Sequence, residues 1–421
     1  MIRSASCAAL AALVACAAPP SPPPEAPPIP AAPRHAAPRV APLDHAAPAE
    51  AGVDAAALAN LEQRAADARS DALVVLRDGK LVYENHFGRG DGRIETMSMT
   101  KTIVALVFGR LVDTRRVASI DEPVWKWFPE WKQGKKQRIT VRHLLEMTSG
   151  LQADKTTEEI YASPDFVRLA LAAELVSDPG ERFFYNNKAV NLLTAIAQRA
   201  ANKPFDEIAR AEVFAPLGIT DVEWVHDKAG NAHGMSGLRL RPIDVAKLGQ
   251  LMLDHGRAHG ASIVSAAWID AMTTPTKANA SYGLLTWIDY QASFVLDDRC
   301  FDAWKAAKLE PEFIAKIRPL KDHVYEPTDD LFVDIAKAIG GERPLEVWYD
   351  HTWRRGLPDA TAVDKRQVGY HMDGWLGQFV VVVPEERLVA VRMRRNRDGE
   401  GDDPRFDFVD FPKRARALVS P

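Results

Sequence analysis

The chain has 421 residues, of which 47% are hydrophobic and 26% charged, as is typical of a soluble globular protein with one large domain or two interleaved ones. Its formal net charge is −4 and it has no basic run, so nothing indicates binding of nucleic acid. It also has no Cys-x-x-Cys pair, no His-Glu-x-x-His motif and no Gly-x-Ser-x-Gly elbow, which argues against a zinc site and against an α/β-hydrolase.

Residues 1–16 have the pattern of a targeting segment. Arg3 precedes a short apolar run that cannot span a bilayer as a helix. The sequence Leu-Val-Ala-Cys ending at Cys16 resembles the lipobox of bacterial lipoproteins. The resemblance implies cleavage before Cys16, lipidation of that residue, and anchoring to a membrane of the bacterial cell envelope on its periplasmic or extracytoplasmic face. An ordinary secretory signal that is cleaved nearby is the alternative.

A linker is predicted at residues 17–50, which hold 12 of the 29 prolines and many alanines. Such a composition favours extended polyproline II and forms no core. At about 3.1 Å per residue, the linker reaches roughly 100 Å and is suited to be a membrane tether. After lipidation of Cys16 and removal of Cys7, Cys300 is the only free thiol, so no intrachain disulfide is expected.

The folded domain is predicted at residues 51–421. Asp54 is a candidate N-cap for a helix that runs to about Arg69. Two β-type runs, ALVVL and LVYENHF, then flank Asp78-Gly79, the strongest short hairpin signal in the chain. This hairpin leads to the helix that begins at Ser98, whose residues indicate the chemistry of the protein.

Ser98 and Lys101 stand three residues apart and therefore share one helical face. The residues that follow, TIVALVF, are apolar on all sides and predict a buried helix, whose N-terminus favours negative charge. Serine is a weak nucleophile without a base within hydrogen-bond reach, and a buried lysine with a lowered pKa can be that base. The pattern is loose, but it is the only Ser-x-x-Lys in the chain.

The pattern from about 113 to 260 is mainly helical. Its aromatic cluster is expected to pack a subdomain rather than to bind a ligand; the members are Trp125, Trp127, Phe128 and Trp131. His143 lies among apolar residues and is interpreted as structural rather than catalytic.

Tyr185 and Asn187 lie on a predicted loop between a Pro-Gly turn and the helix AVNLLTAIAQRA. Polar groups at such a helix start can point into a cleft. A second Tyr-x-Asn, at Tyr83 and Asn85, falls inside the hairpin strand and is interpreted as half-buried strand.

The C-terminal third holds further strands. YGLLTWI at 282–288 is strand-like, and VGYHMD, FVVVVP and RLVAVRM follow after residue 367, before a short helix predicted at 412–418. Residues 289–366 break this rhythm. We expect them to form a structured addition, either a lid or pocket wall near the cleft or a surface elaboration for packing or dimerisation.

The order Ser98-x-x-Lys101, Tyr185-x-Asn187 and a Gly-rich hairpin at 370–383 resembles the serine β-lactamase and penicillin-binding-protein superfamily. The closest resemblance is to the class C β-lactamase branch with its esterase and 6-aminohexanoate-dimer hydrolase relatives. It covers 52–288 and 367–395 and leaves 289–366 as a non-family insertion. It implies an α/β (α+β) fold in which helices flank an antiparallel central sheet, with an inserted mainly helical subdomain.

The resemblance also implies a mechanism. Ser98 would attack a carbonyl and be acylated. Lys101, with Tyr185 in its phenolate or hydrogen-bonded form, would take the serine proton and return it to the leaving group. Asn187 would orient Lys101 or bind the substrate amide. Water would then hydrolyse the acyl-enzyme, with no metal or organic cofactor.

The oxyanion is expected between the backbone N–H groups of Ser98 and Trp375, the residue after Gly374. The family's third motif, Lys-Thr-Gly or His-x-Gly, is replaced here by Met372-Asp373-Gly374. His371 lies one residue before the first position of this motif. Because adjacent side chains on a strand face opposite ways, His371 does not replace the missing cation.

The missing cation favours a carboxylesterase or amidase on a neutral or cationic substrate. A β-lactamase or D,D-peptidase that acts on cell-wall peptides is the alternative. A non-catalytic envelope binding protein is a third possibility, although it would have no need of a buried lysine. The natural substrate and the oligomeric state stay open.

Overall fold

A computed structural model describes residues 42–153, 157–326, 331–397 and 407–419. The predicted signal segment, Cys16 and most of the linker lie outside these residues. The strands are β1 Ala72–Arg77, β2 Lys80–Asn85, β3 Ile94–Glu95, β4 Glu223–Trp224, β5 Leu238–Leu240, β6 Arg257–Ala258, β7 Ala261–Ser262, β8 Trp287–Val295, β9 Val324–Tyr325, β10 Thr361–Gly374, β11 Gln378–Val383 and β12 Leu388–Met393.

The helices surround this β-structure. They are α1 Ala55–Asp67, α2 Met99–Asp113, α3 Val141–Leu145, α4 Glu158–Ala162, α5 Phe166–Ala172, α6 Asn187–Ala201, α7 Phe205–Ala209, α8 Pro242–Leu253, α9 Ala266–Met272, α10 Asp298–Ala306, α11 Pro311–Ile317, α12 Leu331–Ile339, α13 Pro344–His351 and α14 Phe411–Arg416.

The central sheet of the described residues has seven strands in the order β2-β1-β12-β11-β10-β8-β9, and every neighbouring pair is antiparallel. Strand alternation sends Val74 and Leu76 to one face, in a core with α2 and α8. Leu73 and Val75 face the other side, in a core with α1 and α14. The predicted antiparallel sheet flanked by helices is confirmed.

Local signals at the N-terminal end are also confirmed. Asp54 caps α1 by accepting a hydrogen bond from the backbone N–H of Ala57. Asp78 and Gly79 join β1 to β2 with φ of 50° and 75°, the left-handed values that a tight hairpin turn requires.

The last residues of the predicted linker pack on the domain. Asp44 O accepts a hydrogen bond from Leu81 N at 2.8 Å, and Ala46 N donates to Leu81 O at 3.1 Å. These bonds cover the outer edge of β2, so the folded part begins before the predicted boundary at residue 51.

The strand predicted at 282–288 differs from the structure. Gly283 N donates to Thr286 O at 2.8 Å and Leu285 has φ of 53°, so the chain turns here. The strand begins at Trp287 and continues to Val295. The apolar residues before Trp287 pack in the core and do not pair as part of this strand.

Residues between β8 and β10 form a substructure with its own core, which runs from Leu296 to Trp348 and consists mainly of side chains from α10 to α13. Residues 289–295 and 361–366, predicted to lie in the insertion, belong to the two strands that carry it. That the insertion is absent from other members of its family stays a prediction.

Candidate active site

Ser98 occupies the N-cap position of α2, but its side chain does not cap the helix. Twelve of the fifteen residues in this helix are buried, so the helix start is fixed against the core. Met97, directly before Ser98, has φ of 49°, a strained value for a non-glycine residue. The half-buried Ser98 hydroxyl is therefore available to a partner other than the backbone.

That partner is Lys101, one helical turn later. Lys101 Nζ lies 2.7 Å from Ser98 Oγ and donates a hydrogen bond to the carbonyl oxygen of Met235 at 2.9 Å. The lysine is only 2% exposed. Burial lowers its pKa to about 7, although the charge of Asp373 opposes this shift. Near neutral pH a large share of Lys101 is consequently uncharged.

Tyr185 is positioned by the start of α6. The neighbouring Asn186 caps this helix at Ala189 N and donates to Leu151 O at 2.8 Å, which fixes the loop. Lys101 Nζ lies 4.9 Å from the centroid of the Tyr185 ring, and Trp287 stacks on the ring at 6.2 Å. Burial and the charge of Asp373 raise the pKa of Tyr185, while a hydrogen bond to Ser98 opposes them. Tyr185 is thus a phenol at neutral pH.

Asn187 begins α6 and is half-buried. Among the described residues, Lys101 hydrogen-bonds to Ser98 Oγ and to the carbonyl oxygen of Met235. Both roles of Asn187, orienting Lys101 or binding the substrate amide, stay predictions.

Gly374 brings the end of β10 against the start of α2. A Cβ on Gly374 would lie 2.8 Å from Thr96 O and 3.0 Å from Ser98 N, so only glycine fits without a shift. Within the described residues the Ser98 N–H forms no hydrogen bond, and a side chain at position 374 would lie directly against it. Trp375 follows at the strand end and is 45% exposed.

The residues before Gly374 alternate in direction. Met372 is 1% exposed and packs in the core shared with α2. His371 faces the other way, with Nδ1 2.9 Å from Asp289 Oδ1 and its ring stacked on Trp287. Burial lowers the pKa of His371, but Asp289 outweighs burial and leaves that pKa raised. The first position of the third motif therefore offers no cation to the site, because it holds Met372. The neighbouring His371 is paired with Asp289.

Two other predicted assignments have a structural explanation. His143 forms a capping box with Thr140 at the start of α3. Tyr83 and Asn85 lie on β2, at the opposite end of the sheet from β8 and β9, and hydrogen-bond to each other at 3.3 Å. Neither group belongs to the site around Ser98.

Sequence reasoning missed Met235 and Trp287. A backbone carbonyl carries no residue-type signal, so nothing in the sequence marks Met235 as a partner of Lys101. Trp287 lies in a run of apolar residues, and its stacking on Tyr185 depends on where β8 begins. Among the described residues, no group of three or more His, Cys, Asp or Glu could hold a metal ion.

The Beta-lactamase family model matches residues 58–409. The chain belongs to the beta-lactamase family. This confirms the resemblance inferred from the motifs, and with it the assignment to a family of serine hydrolases. None of the helices in the part of the chain that the structure describes has the length and apolar character of a membrane span.

Individual relatives of this beta-lactamase family member are distant. Esterase EstB from Burkholderia gladioli is 31% identical over 182 residues, 36% of this chain and 46% of the esterase. Protein flp from Staphylococcus aureus strain COL is 25% identical over 188 residues, 40% of this chain and 38% of that protein. The matches thus span less than half the length of both curated relatives.

A putative 6-aminohexanoate-dimer hydrolase from Bacillus anthracis shares the fold. Its structure superposes with a TM-score of 0.60 and 16% sequence identity, and the match covers 91% of this chain and 90% of that one. At this identity the likeness concerns the fold alone.

Proposed function

We propose that this serine hydrolase forms an acyl-enzyme on Ser98 and acts as a carboxylesterase or amidase on neutral or cationic substrates. The observation that carries the proposal is the buried amine of Lys101, 2.7 Å from Ser98 Oγ with a pKa lowered to about 7 by burial. A catalytic base is most effective when its pKa is near the working pH.

In the acylation step, neutral Lys101 accepts the proton from the Ser98 hydroxyl as Oγ bonds to the substrate carbonyl carbon. The Met235 carbonyl holds one N–H of the amine, so the lone pair is directed to Ser98. The same proton is then given to the departing oxygen or nitrogen, and Tyr185 supports the transfer as a neutral phenol. Water hydrolyses the acyl-enzyme by the reverse proton path.

The oxyanion would be stabilised by the Ser98 N–H and the N–H of Trp375. The Ser98 N–H, which forms no hydrogen bond among the described residues and lies beside Gly374, supports this assignment. A single donor of this type typically contributes about 10²–10³ in rate.

Met372 and Asp373 support the choice of substrate class. A β-lactam or cell-wall peptide carries a carboxylate, which a nearby cation stabilises by about 1.5–3 kcal/mol, or about 10–150-fold. Met372 is buried, and Asp373 would repel an anion. An ester without a carboxylate loses no binding energy when the cation is missing from this position.

The test compares kcat/KM for a short-chain p-nitrophenyl ester with that for a cephalosporin. We expect the ester to exceed the cephalosporin by at least about tenfold, the low end of the contribution of a charge-assisted bond. Equal efficiency on both would favour the β-lactamase alternative.

We also propose that Cys16 carries lipid and anchors the enzyme to the bacterial cell envelope through the linker. The lipobox-like sequence supports this. The wild-type protein should partition into detergent when expressed with its signal, whereas Cys16→Ala should not.

A further inference from the structure

The carbonyl group of Met235, which accepts a hydrogen bond from Lys101 Nζ at 2.9 Å, lies in the loop between β4 and β5. Neither Gly234 nor Met235 belongs to a helix or a strand, so no ladder of regular hydrogen bonds holds this carbonyl in place. Hydrogen bonds weaken steeply when their length or angle departs from the favoured range. The orientation of the Lys101 amine therefore depends on what fixes this loop.

Asn191 of α6 fixes the residue directly before Met235. Its Oδ1 accepts a hydrogen bond from Gly234 N at 2.8 Å. Because a backbone N–H only donates, the oxygen of the carboxamide must be the atom that faces the loop. Asn191 is only 1% exposed, so water does not compete for this bond, and the bond is stronger there than it would be at the surface.

Gly234 allows the loop to lie directly on the helix backbone. A Cβ at this position would come within 2.7 Å of Val190 O and 3.2 Å of Asn191 Cα, so a larger residue would push the loop away from α6. The same helix begins two residues after Tyr185. One helix therefore positions the phenol beside the serine and, through the loop, the carbonyl that holds Lys101.

The other polar atom of the Asn191 side chain indicates why asparagine is present. Among the described residues, the buried Nδ2 has no hydrogen-bond partner, and an unmade hydrogen bond in the interior is unfavourable. Leucine has a similar size and would avoid this cost. What asparagine adds is the oxygen that accepts the hydrogen bond from Gly234, so the side chain serves the loop rather than the packing of α6.

We propose that Asn191 is a positioning residue for the catalytic base. Through Gly234 it fixes the Met235 carbonyl, and that carbonyl orients the amine of Lys101 toward the serine. This rests on the proposed hydrolase function and adds to it a residue that touches neither the substrate nor the reacting atoms. When the carbonyl is misplaced, the lone pair of the amine is no longer directed at the serine hydroxyl. The charged amine also loses an acceptor that stabilises it more than the neutral amine.

The test measures the pH dependence of kcat and KM for a short-chain p-nitrophenyl ester with the full-length enzyme. Asn191→Leu removes the acceptor at similar volume, and Asn191→Ala removes it while leaving room for water. On the high-pH plateau, where Lys101 is uncharged, both should lower kcat by about 10- to 100-fold with KM nearly unchanged. The pH midpoint of kcat should fall by at least about half a unit, because the charged amine has lost an acceptor.

The moved midpoint reports on the surroundings of the Lys101 amine because Asn191→Leu and Asn191→Ala neither add nor remove a charge. Other titratable groups lie around Lys101 and this loop and are unchanged in both variants, namely Tyr185, Asp373, Glu95, Tyr161, Lys188 and His233. Circular dichroism and thermal unfolding establish that each variant is folded before its kinetics are compared.

Two further variants separate loss of this hydrogen bond from a general loss of stability. Asn191→Asp keeps an oxygen for Gly234 N and should keep most of the plateau kcat. Gln198→Leu is the matched control, because Gln198 lies about two turns further along α6 and its Oε1 accepts a hydrogen bond from Phe205 N at 3.2 Å. This variant should keep the wild-type kcat and pH midpoint.

Wild-type kcat and midpoint in Asn191→Leu and Asn191→Ala would overturn the proposal. A lower kcat with an unmoved midpoint would also overturn it, because a merely structural role gives that result, as would an Asn191→Asp enzyme as slow as Asn191→Leu. Failure of the proposed function looks different: the wild-type enzyme would not hydrolyse the ester, and Ser98 would not react with a serine-directed probe.

Discussion

The amine of Lys101 has two fixed neighbours and almost no access to water. The carbonyl oxygen of Met235 accepts a hydrogen bond from the amine. The other neighbour, Ser98 Oγ, carries the proton that the amine takes up during acylation. Because burial lowers the pKa of Lys101 to about 7 and Asp373 raises it, the charge of one carboxylate adjusts the working range of the base.

This gives a pH prediction. kcat/KM for a neutral ester should rise with pH through a midpoint near 7, since only uncharged Lys101 accepts a proton. Asp373→Asn should move the midpoint to lower pH, because it removes the charge that raises the pKa of Lys101, and Asp364→Asn, at an exposed position of the same strand, should leave it in place. Lys101→Met should lower the rate by at least about 10²-fold. A pH-independent rate, or an upward shift in Asp373→Asn, would contradict this role.

The two Tyr-x-Asn sequences provide a second comparison. Tyr185→Phe keeps the ring that stacks on Trp287 but removes the hydroxyl beside Ser98, so we expect kcat to fall by about 10²-fold. Tyr83→Phe removes a hydroxyl on β2, at the far side of the sheet, and should leave kcat unchanged. If only Tyr83→Phe were slow, the wrong tyrosine would have been assigned.

At the scale of elements, the site depends on the contact between the end of β10 and the start of α2. Gly374 contributes by having no side chain, since a Cβ would come within 3.0 Å of Thr96 O, Met97 Cβ and Ser98 N. Buried residues of both elements, such as Ile103 of α2 and Met372 of β10, pack in the same core, so neither element can move away freely.

Gly374→Ala should therefore lower kcat by about 10²-fold by displacing or covering the Ser98 N–H. Gly92→Ala is the control, because its Cβ would meet only Arg395 Nη2 at 3.5 Å, an ordinary contact. Steady-state kinetics and thermal unfolding of both variants separate lost catalysis from lost stability. A fully active Gly374→Ala enzyme would refute the oxyanion assignment.

The elements with strong local signals could be predicted from sequence. The turn at Asp78-Gly79, the buried helix after Ser98 and the helix after Tyr185 each follow from residue types at fixed spacing. The start of β8 at Trp287 could not, because Gly283 and Leu285 adopt a turn that tertiary packing imposes on an apolar run. The role of the Met235 carbonyl likewise depends on neighbours that are distant in sequence.

At the scale of the whole molecule, the substructure between β8 and β10 is attached away from the site. Its attachment points are not beside the oxyanion site, because β8 runs from Trp287 to Val295, roughly 27 Å for an extended strand. The insertion is therefore attached at the ends of β8 and β10 that are far from the site. This position favours a surface elaboration over a lid.

Removal of the insertion tests this directly. Val295 and Thr361 are cross-strand partners, so an Asn-Gly turn that replaces residues 296–360 can close the hairpin. The shortened enzyme should keep the KM and substrate profile of the full chain, provided that circular dichroism shows a folded protein. A folded variant with altered KM or profile would restore the lid interpretation.

The central claim is that Ser98 is the residue that becomes acylated. Labelling of the intact protein with a fluorophosphonate, followed by mass spectrometry of the peptides, tests this claim most directly. The account predicts one adduct on Ser98, and loss of both labelling and ester turnover in Ser98→Ala. An adduct on any other serine, or full turnover by Ser98→Ala, would contradict it.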